Sequence, residues 1–463
     1  MSSPGLLWLC CTPACAAGLD PQQLTLWWGL PFAGVLLSIA AVPLIAPDFW
    51  HHHFGKIAGL WALGLLLPFA LRFGLTETTH QIAHALLLEY LPFMVLLFAL
   101  YTIAGGIHVA ADLRASPRTN LALLGIGTAL ASVMGTTGAA MLMIRPVIRA
   151  NATRRYQTHV VVFFIFLVAN VGGALTPLGD PPLFLGFLQG VHFFWTTQYL
   201  LLPTLMVSAL LFALFFAVDT YFMRRETPTE PSGYALDGKV RIDGKINFLL
   251  LAASVAAVLM SGLWNPGRSL SLLGTPLEWQ NLLRDGLLML LALASLALTP
   301  APVRRDNEFN WFPMQEVAKL FACIFLTIFP VIAILRAGDQ GALGDVVRLV
   351  TDSRGQPVPA LYFWCAGLLS AFLDNAPTYL VFFNMAGGDP AHLMGAGAKL
   401  LEAISAGAVF MGALTYIGNA PNFMVRAVAV HQGVRMPGFF AYMGWSLACL
   451  MPCFLLVSWV FFR

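Results

Sequence analysis

The sequence predicts an all-α polytopic membrane protein of about 10–12 transmembrane helices, built as two inverted repeats that each hold a re-entrant hairpin and a broken helix. Three observations carry that expectation. Hydrophobic residues make up 59% of the 463-residue chain and charged residues only 10%, against about 25% charged in a soluble domain. Apolar runs near the ~20 residues of a spanning helix recur at Trp27–Val42, Ile57–Leu71, Leu86–Val109, Tyr199–Tyr221, Ile246–Leu263, Leu287–Leu298, Val317–Leu335 and Phe439–Phe462. Within this apolar background one pattern is written twice. GALTPLGDPPLF (Gly173–Phe184) and GALTYIGNAPNF (Gly412–Phe423) lie 239 positions apart (412 − 173) and agree at seven of twelve places.

Residues 1–25 form an N-terminal segment with a short apolar core and a small-residue end but no basic start, so a cleaved signal is one reading of it. The longest polar stretch, about Arg224–Lys245, leaves no room for a soluble domain. The net charge of +3 is spread over loops, where basic residues set topology, and nucleic acid is excluded as a partner. The seven cysteines show no metal spacing with histidine. Cys449 and Cys453 lie at i, i+4 in an apolar helix and read as packing.

Basic residues then orient the chain. Arg114 and Arg118, Arg145 to Arg155, Arg224 to Lys245, and Arg304 with Arg305 all belong on the cytoplasmic face. Both ends of the apolar stretch between Arg118 and Arg145 therefore lie inside, which a hairpin at about 119–148 satisfies, its tip at Gly135-Thr136-Thr137-Gly138. The offset of 239 carries Gly135 onto Asp374 and Thr136 onto Asn375. A second hairpin at about 358–387 follows, one span further on and so approached from outside. Each hairpin precedes a broken helix, at about 158–192 and 398–430. The expected division is a first repeat at 26–222, a cytoplasmic loop at 223–245 and a second repeat at 246–463.

Backbone groups freed by Pro and Gly cannot face lipid, and paired broken helices commonly enclose a midplane site. The breaks and tips supply the candidate residues: Thr136, Thr137, Thr176, Asp180, Asp374, Asn375, Thr378, Thr415 and Asn419, with the backbone at Gly179 and Gly418. Asn170, Asn384 and Asn422 add further oxygens. A carboxylate at bilayer depth costs at least ~2.5–3.5 kcal/mol and is a functional candidate by default; the alternative for Asp180 and Asp374 is a helix cap. Oxygen donors suit hard cations, and no Lys or Arg lies in the repeated stretches. Arg145 and Arg426 read as interfacial anchors. The constellation therefore points to Na+ and H+ as transported ions, both competing for the carboxylates, with no cofactor required.

ANVGGALTPLGDPPLFLGF, LSAFLDNAPTYLVFFN and GALTYIGNAPNFMV resemble the bacterial sodium:proton antiporter-like members of the ion transporter superfamily, which also holds NhaD-type antiporters, citrate transporters and divalent-anion:sodium symporters. The resemblance runs from about Trp27 to the C-terminus. It implies a multi-pass protein of the bacterial inner membrane, a scaffold that forms a homodimer, and cation roles for Thr137, Asn375 and the backbone near Gly179 and Gly418. The dicarboxylate-carrying relatives bear Ser-Asn-Thr at the hairpin tips, which neither tip here matches. A Na+- or H+-coupled citrate or dicarboxylate transporter is the alternative. An intramembrane aspartyl protease is a remote one, since Pro177-Leu178-Gly179-Asp180 lacks the Gly-x-Gly-Asp pattern of those enzymes.

Overall fold

The computed structural model of the chain describes residues 23–111, 113–226, 240–338 and 341–463. Nearly all of the N-terminal segment, with Cys10, Cys11 and Cys15, and most of the polar loop at 223–245 lie outside the described residues. The chain is an all-α polytopic membrane protein. Among the described residues nine helices are long and apolar enough to cross a bilayer. The figure falls below the expected ten to twelve because hairpin limbs and half-helices are too short, or not apolar enough, to qualify singly.

The first half opens with α1 (Leu30–Ile45), α2 (Pro47–Phe73) and α3 (Leu75–His84), which passes through a π-helical turn at Ala85–Tyr90 into α4 (Leu91–Ala104). After the short strand β1 (His108–Ala111) come α5 (Pro117–Met134) and α6 (Thr136–Ala150), α7 (Thr158–Leu167) and α8 (Pro181–Leu188), then the long α9 (Phe193–Arg224). Strand β2 (Val240–Asp243) pairs antiparallel with β1, His108 opposite Asp243. The second half runs through α10 (Ile246–Leu263), the small hairpin β3 (Ser269–Leu272) and β4 (Thr275–Glu278), α11 (Trp279–Leu298), α12 (Ala301–Asp306) and α13 (Phe312–Arg336). It closes with α14 (Gly344–Arg348), α15 (Pro359–Leu373), α16 (Asn375–Met385), α17 (Pro390–Met394), α18 (Ala398–Met411), α19 (Ala420–His431) and α20 (Phe439–Phe461).

Local chemistry sets many of these boundaries. Proline opens α2, α5, α8, α15 and α17, where its missing N–H is no loss. The Ser116 hydroxyl accepts the Thr119 N–H at 3.0 Å and caps α5. Two helix–turn–helix pairs, α5–α6 and α15–α16, fall where the sequence places its hairpins, and α7–α8 and α18–α19 are helices interrupted at the repeated stretches.

Burial sorts the helices into an inner and an outer set. The apolar window of Thr158–Leu175 is 89% buried within the protein, whereas those of Leu26–Ile45 and Trp279–Leu298 are 22% buried. Phe163 to Ala169 are wholly enclosed. Interrupted backbone thus sits at the centre, and intact helices face outward, as a hydrocarbon solvent demands.

At the face the basic loops assign to the cytoplasm, buried polar groups tie the inner set together. The Asp219 carboxylate of α9 accepts from Arg154 Nη1 at 2.5 Å, pairs with His159 Nε2 at 2.8 Å and accepts from Asn120 Nδ2 at 2.9 Å. Asn120 and Asn151 exchange hydrogen bonds of 3.0 and 2.8 Å, and Arg154 Nε reaches Glu226 at 3.2 Å. Arg154 is therefore a buried partner rather than only a topology signal. Arg145 departs further from the anchor role expected of it. It is only 5% exposed and pairs with Glu308 at 3.0 Å, because α6 packs inward instead of against headgroups. Arg426 is half-buried and stacks over the Tyr416 ring, 5.1 Å from its centroid.

Removing Asp219 takes a buried partner from Arg154, His159 and Asn120 at once. Asp219→Ala is expected to destabilise by about 3–5 kcal/mol, read as a lowered melting temperature of the detergent-solubilised protein, with Asp219→Asn less severe.

Candidate functional site

The first break leaves α7 at Leu167, makes a tight turn over Val171–Leu175 and restarts at Pro181. The second leaves α18 at Met411, turns over Gly412–Leu414 and restarts at Ala420. Neighbouring side chains take up the freed carbonyls. Leu175 O accepts from Thr196 and Thr197 at 3.1 and 2.6 Å; its equivalent Leu414 O accepts from Ser446 at 2.7 Å, and Ala413 O accepts from Tyr442 at 2.9 Å.

Paired threonines brace the breaks against the hairpins. Thr176 donates to Ser132 O, and its equivalent Thr415 donates to Ala371 O, the carbonyl 239 positions beyond (371 − 132). Each hydroxyl also accepts a backbone N–H two residues on, Leu178 and Ile417, both at 3.2 Å. Two glycine pairs let the chain fold back on itself. A Cβ on Gly179 would lie 2.1 Å from Gly173 O, and one on Gly418 would lie 2.6 Å from Gly412 O.

The hairpin tips match in backbone as well. Gly135 has φ 82° and ψ 149°, and Asp374 has φ 73° and ψ 144°. Positive φ is natural for glycine and strained for aspartate. The Asp374 carboxylate accepts the Ala376 N–H at 3.2 Å and so caps α16.

Asp180 is different. It precedes α8 without capping it, is 1% exposed, and is held by side chains from three other elements. Thr136 Oγ1 of the first tip donates to Oδ1 at 3.0 Å, Asn375 Nδ2 of the second tip donates to Oδ2 at 2.5 Å, and Asn419 Nδ2 of the second break donates to Oδ1 at 3.1 Å. Thr136 N–H also reaches Gly179 O at 2.8 Å. The breaks are cross-tied by Asn170 Nδ2 on Asn422 Oδ1 at 2.7 Å, while Asn422 Nδ2 holds Gly412 O and Thr415 O at 2.8 and 2.9 Å. Asn375 Oδ1 is buried with no hydrogen-bond partner among the described residues.

A cavity of about 70 Å³ adjoins the carboxylate, lined by Thr136, Thr137 and Pro177 to Pro181 on one side and by Tyr101, Met314 and Val317 on the other. The structure thus brings Asp180, Thr136, Asn375, Asn419 and the Gly179 carbonyl together, with Thr137 beside them. The Thr176 and Thr415 hydroxyls are spent on backbone, Thr378 donates to Asp374 O of its own turn at 2.8 Å, and Gly418 permits close backbone approach.

One intramembrane acid went unnoticed in the sequence. Glu89 lies in the π-helical turn and lines a separate cavity of about 1050 Å³ that also borders Arg284 and Arg336. A lone glutamate in LLLEYLPF is the signal that could have found it.

Over residues 21–462 the chain matches the CitMHS_2 family model, described as "Putative citrate transport". No curated protein matches it.

Gly179→Ala is expected to abolish stable expression or lower the melting temperature sharply, whereas Gly64→Ala, whose Cβ would meet nothing within 4 Å, is neutral. Fluorescence-detected size-exclusion chromatography after heating checks both.

Proposed function

We propose that this chain, which belongs to the citrate-transport family of multi-pass membrane transporters, is a secondary active transporter that exchanges Na+ for H+ at Asp180. The observation that carries the reading is the enclosure of that one carboxylate by both hairpin tips and the opposite break. A buried carboxylate is stable when protonated, when paired with a cation or when fully hydrogen-bonded. Proton and Na+ therefore compete for the same oxygens.

The amides make the competition workable. With their N–H groups on Asp180, Asn375 and Asn419 stabilise the anion; rotated, they present carbonyl oxygens to a cation. The partnerless Asn375 Oδ1 is such an oxygen. Together with Asp180, Thr136 and the adjoining backbone it forms the all-oxygen donor set that hard cations favour. Asp374 contributes a second negative charge at the tip. In the proposed cycle the hairpins and broken helices move as a unit against the remaining helices, exposing the site to one side at a time. A bacterial cytoplasmic membrane and a homodimer formed through the outer helices belong to the same proposal.

Coupled transport of an organic carboxylate is the second reading. The family description favours it, as does the cavity of about 1050 Å³, since about 70 Å³ beside Asp180 cannot enclose a citrate.

The test is dye-reported exchange in proteoliposomes with an imposed pH gradient. Na+ should collapse the gradient, and Asp180→Asn should cut the rate at least about ten-fold, a loss of about 1.4 kcal/mol or more. Wild-type exchange by Asp180→Asn would sink the reading, and counterflow of labelled citrate without Na+-driven proton movement would replace it with the second.

Asp374→Gly separates charge from fold, because glycine is the residue the first tip uses at the same φ. It is expected to raise the half-saturating Na+ concentration about three- to ten-fold, the size of one lost partly screened charge interaction, with the maximal rate kept. An unchanged Na+ curve would confine Asp374 to capping.

A further inference from the structure

Arg145 and Asn384 occupy equivalent positions in the two hairpins, 239 apart (384 − 145), and each is bound to one end of the same helix. Arg145 Nη2 meets Glu308 at 3.0 Å, four residues before α13 begins. Asn384 Oδ1 accepts from Arg336 Nε at 2.8 Å, at the last residue of α13. With 25 residues that helix is about 37 Å long, so the two contacts lie on opposite faces of the membrane. Glu308 belongs to the face of Arg304 and Arg305, cytoplasmic by the basic-residue rule.

The inner contact carries two marks of a built device. Arg145 is 5% exposed on a hairpin limb, a costly placement for a guanidinium that only a specific partner offsets. Glu308 sits at φ 47°, a left-handed conformation unfavourable to a non-glycine residue, with its carboxylate on the arginine. The small cavity beside Asp180 is also lined by Tyr101 and Met314, and Tyr101 Oη donates at 2.7 Å to Asn310 O, two residues from Glu308.

We propose that the Arg145–Glu308 ion pair is the inner latch of the transporter, holding the first hairpin on α13 and closing the route from Asp180 to the cytoplasm, with Arg336–Asn384 as its outer counterpart. Arg145 and Glu308 are positioning residues; neither touches the cargo. The two hairpins dock on one helix, so opening toward the cytoplasm requires the inner pair to part while the outer contact holds. The proposal rests on the alternating-access part of the proposed function but not on the identity of the ion.

The test places a reporter cysteine at Met314 in a cysteine-free full-length chain and measures its rate of modification by a membrane-impermeant maleimide from the cytoplasmic side of vesicles. Glu308→Ala is expected to raise that rate about five-fold, in keeping with a partly buried ion pair. Arg145→Glu should do the same, and the exchanged pair Arg145→Glu with Glu308→Arg should return to within about two-fold of the parent, as restored pairing requires. Glu308 is half exposed and packs no core, so its alanine variant reads the latch even where Arg145→Glu does not fold. Parent-like labelling of Glu308→Ala overturns the proposal, as does an exchanged pair that labels as fast as the single variants. Labelling needs no transport, so these outcomes stand apart from any failure of Na+/H+ exchange.

Discussion

Every broken peptide group at the centre of this protein must find a partner inside the protein, and most of the inner architecture answers that requirement. A hydrocarbon solvent supplies no hydrogen bonds. The structure supplies them from side chains: Thr196 and Thr197 from α9, Ser446 and Tyr442 from α20, Asn422 within the second break itself, and Asn419, which reaches across to Ala169 O of the first. Once those partners are committed, the breaks cannot slide without losing several bonds together. The outer helices carry no such obligation, and their intact backbones can face lipid.

Repetition fixes the positions of these partners, and departures from repetition carry the chemistry. Thr176 and Thr415 make the same bond to the same carbonyl in each half, so they belong to the shared scaffold of the breaks. Asp180 and Asn419 occupy equivalent places, yet one is an acid and the other donates to it. Gly135 and Asp374 share a backbone conformation, yet only one bears a charge. A site with a carboxylate from one half and carboxamides from the other is asymmetric in charge while nearly symmetric in shape.

Much of this was legible in the sequence. Gly and Pro inside apolar runs located both breaks, and the offset of 239 paired the hairpin tips residue by residue. Asp180 stood out because charge is rare at such depth. What the offset could not reveal was convergence: nothing local says that Thr136 and Asn375, which the repeat merely equates, both reach the one carboxylate of Asp180. The threonines at 176 and 415 looked like cation ligands because a hydroxyl at a break has two uses, and only packing decides between them. Arg145 was misread for a related reason. An arginine near a helix end is ordinarily an anchor, and its partner Glu308 lies 163 residues away. Asp219, near the end of a long helix, gives no local signal because its three partners come from other parts of the chain.

The small chamber at Asp180 bears on which ions could be told apart there. About 70 Å³ has room for only a few water molecules, so a cation taken up there, as proposed, would shed most of its hydration shell. Under the proposed exchange, the cost of dehydration, set against oxygens held by the cross-tied breaks, would be what selects the ion. Smaller alkali ions lose more on stripping and regain more from close oxygens, so discrimination among lithium, sodium and potassium would depend on how rigidly the Asn170–Asn422 tie fixes the two breaks behind Asp180.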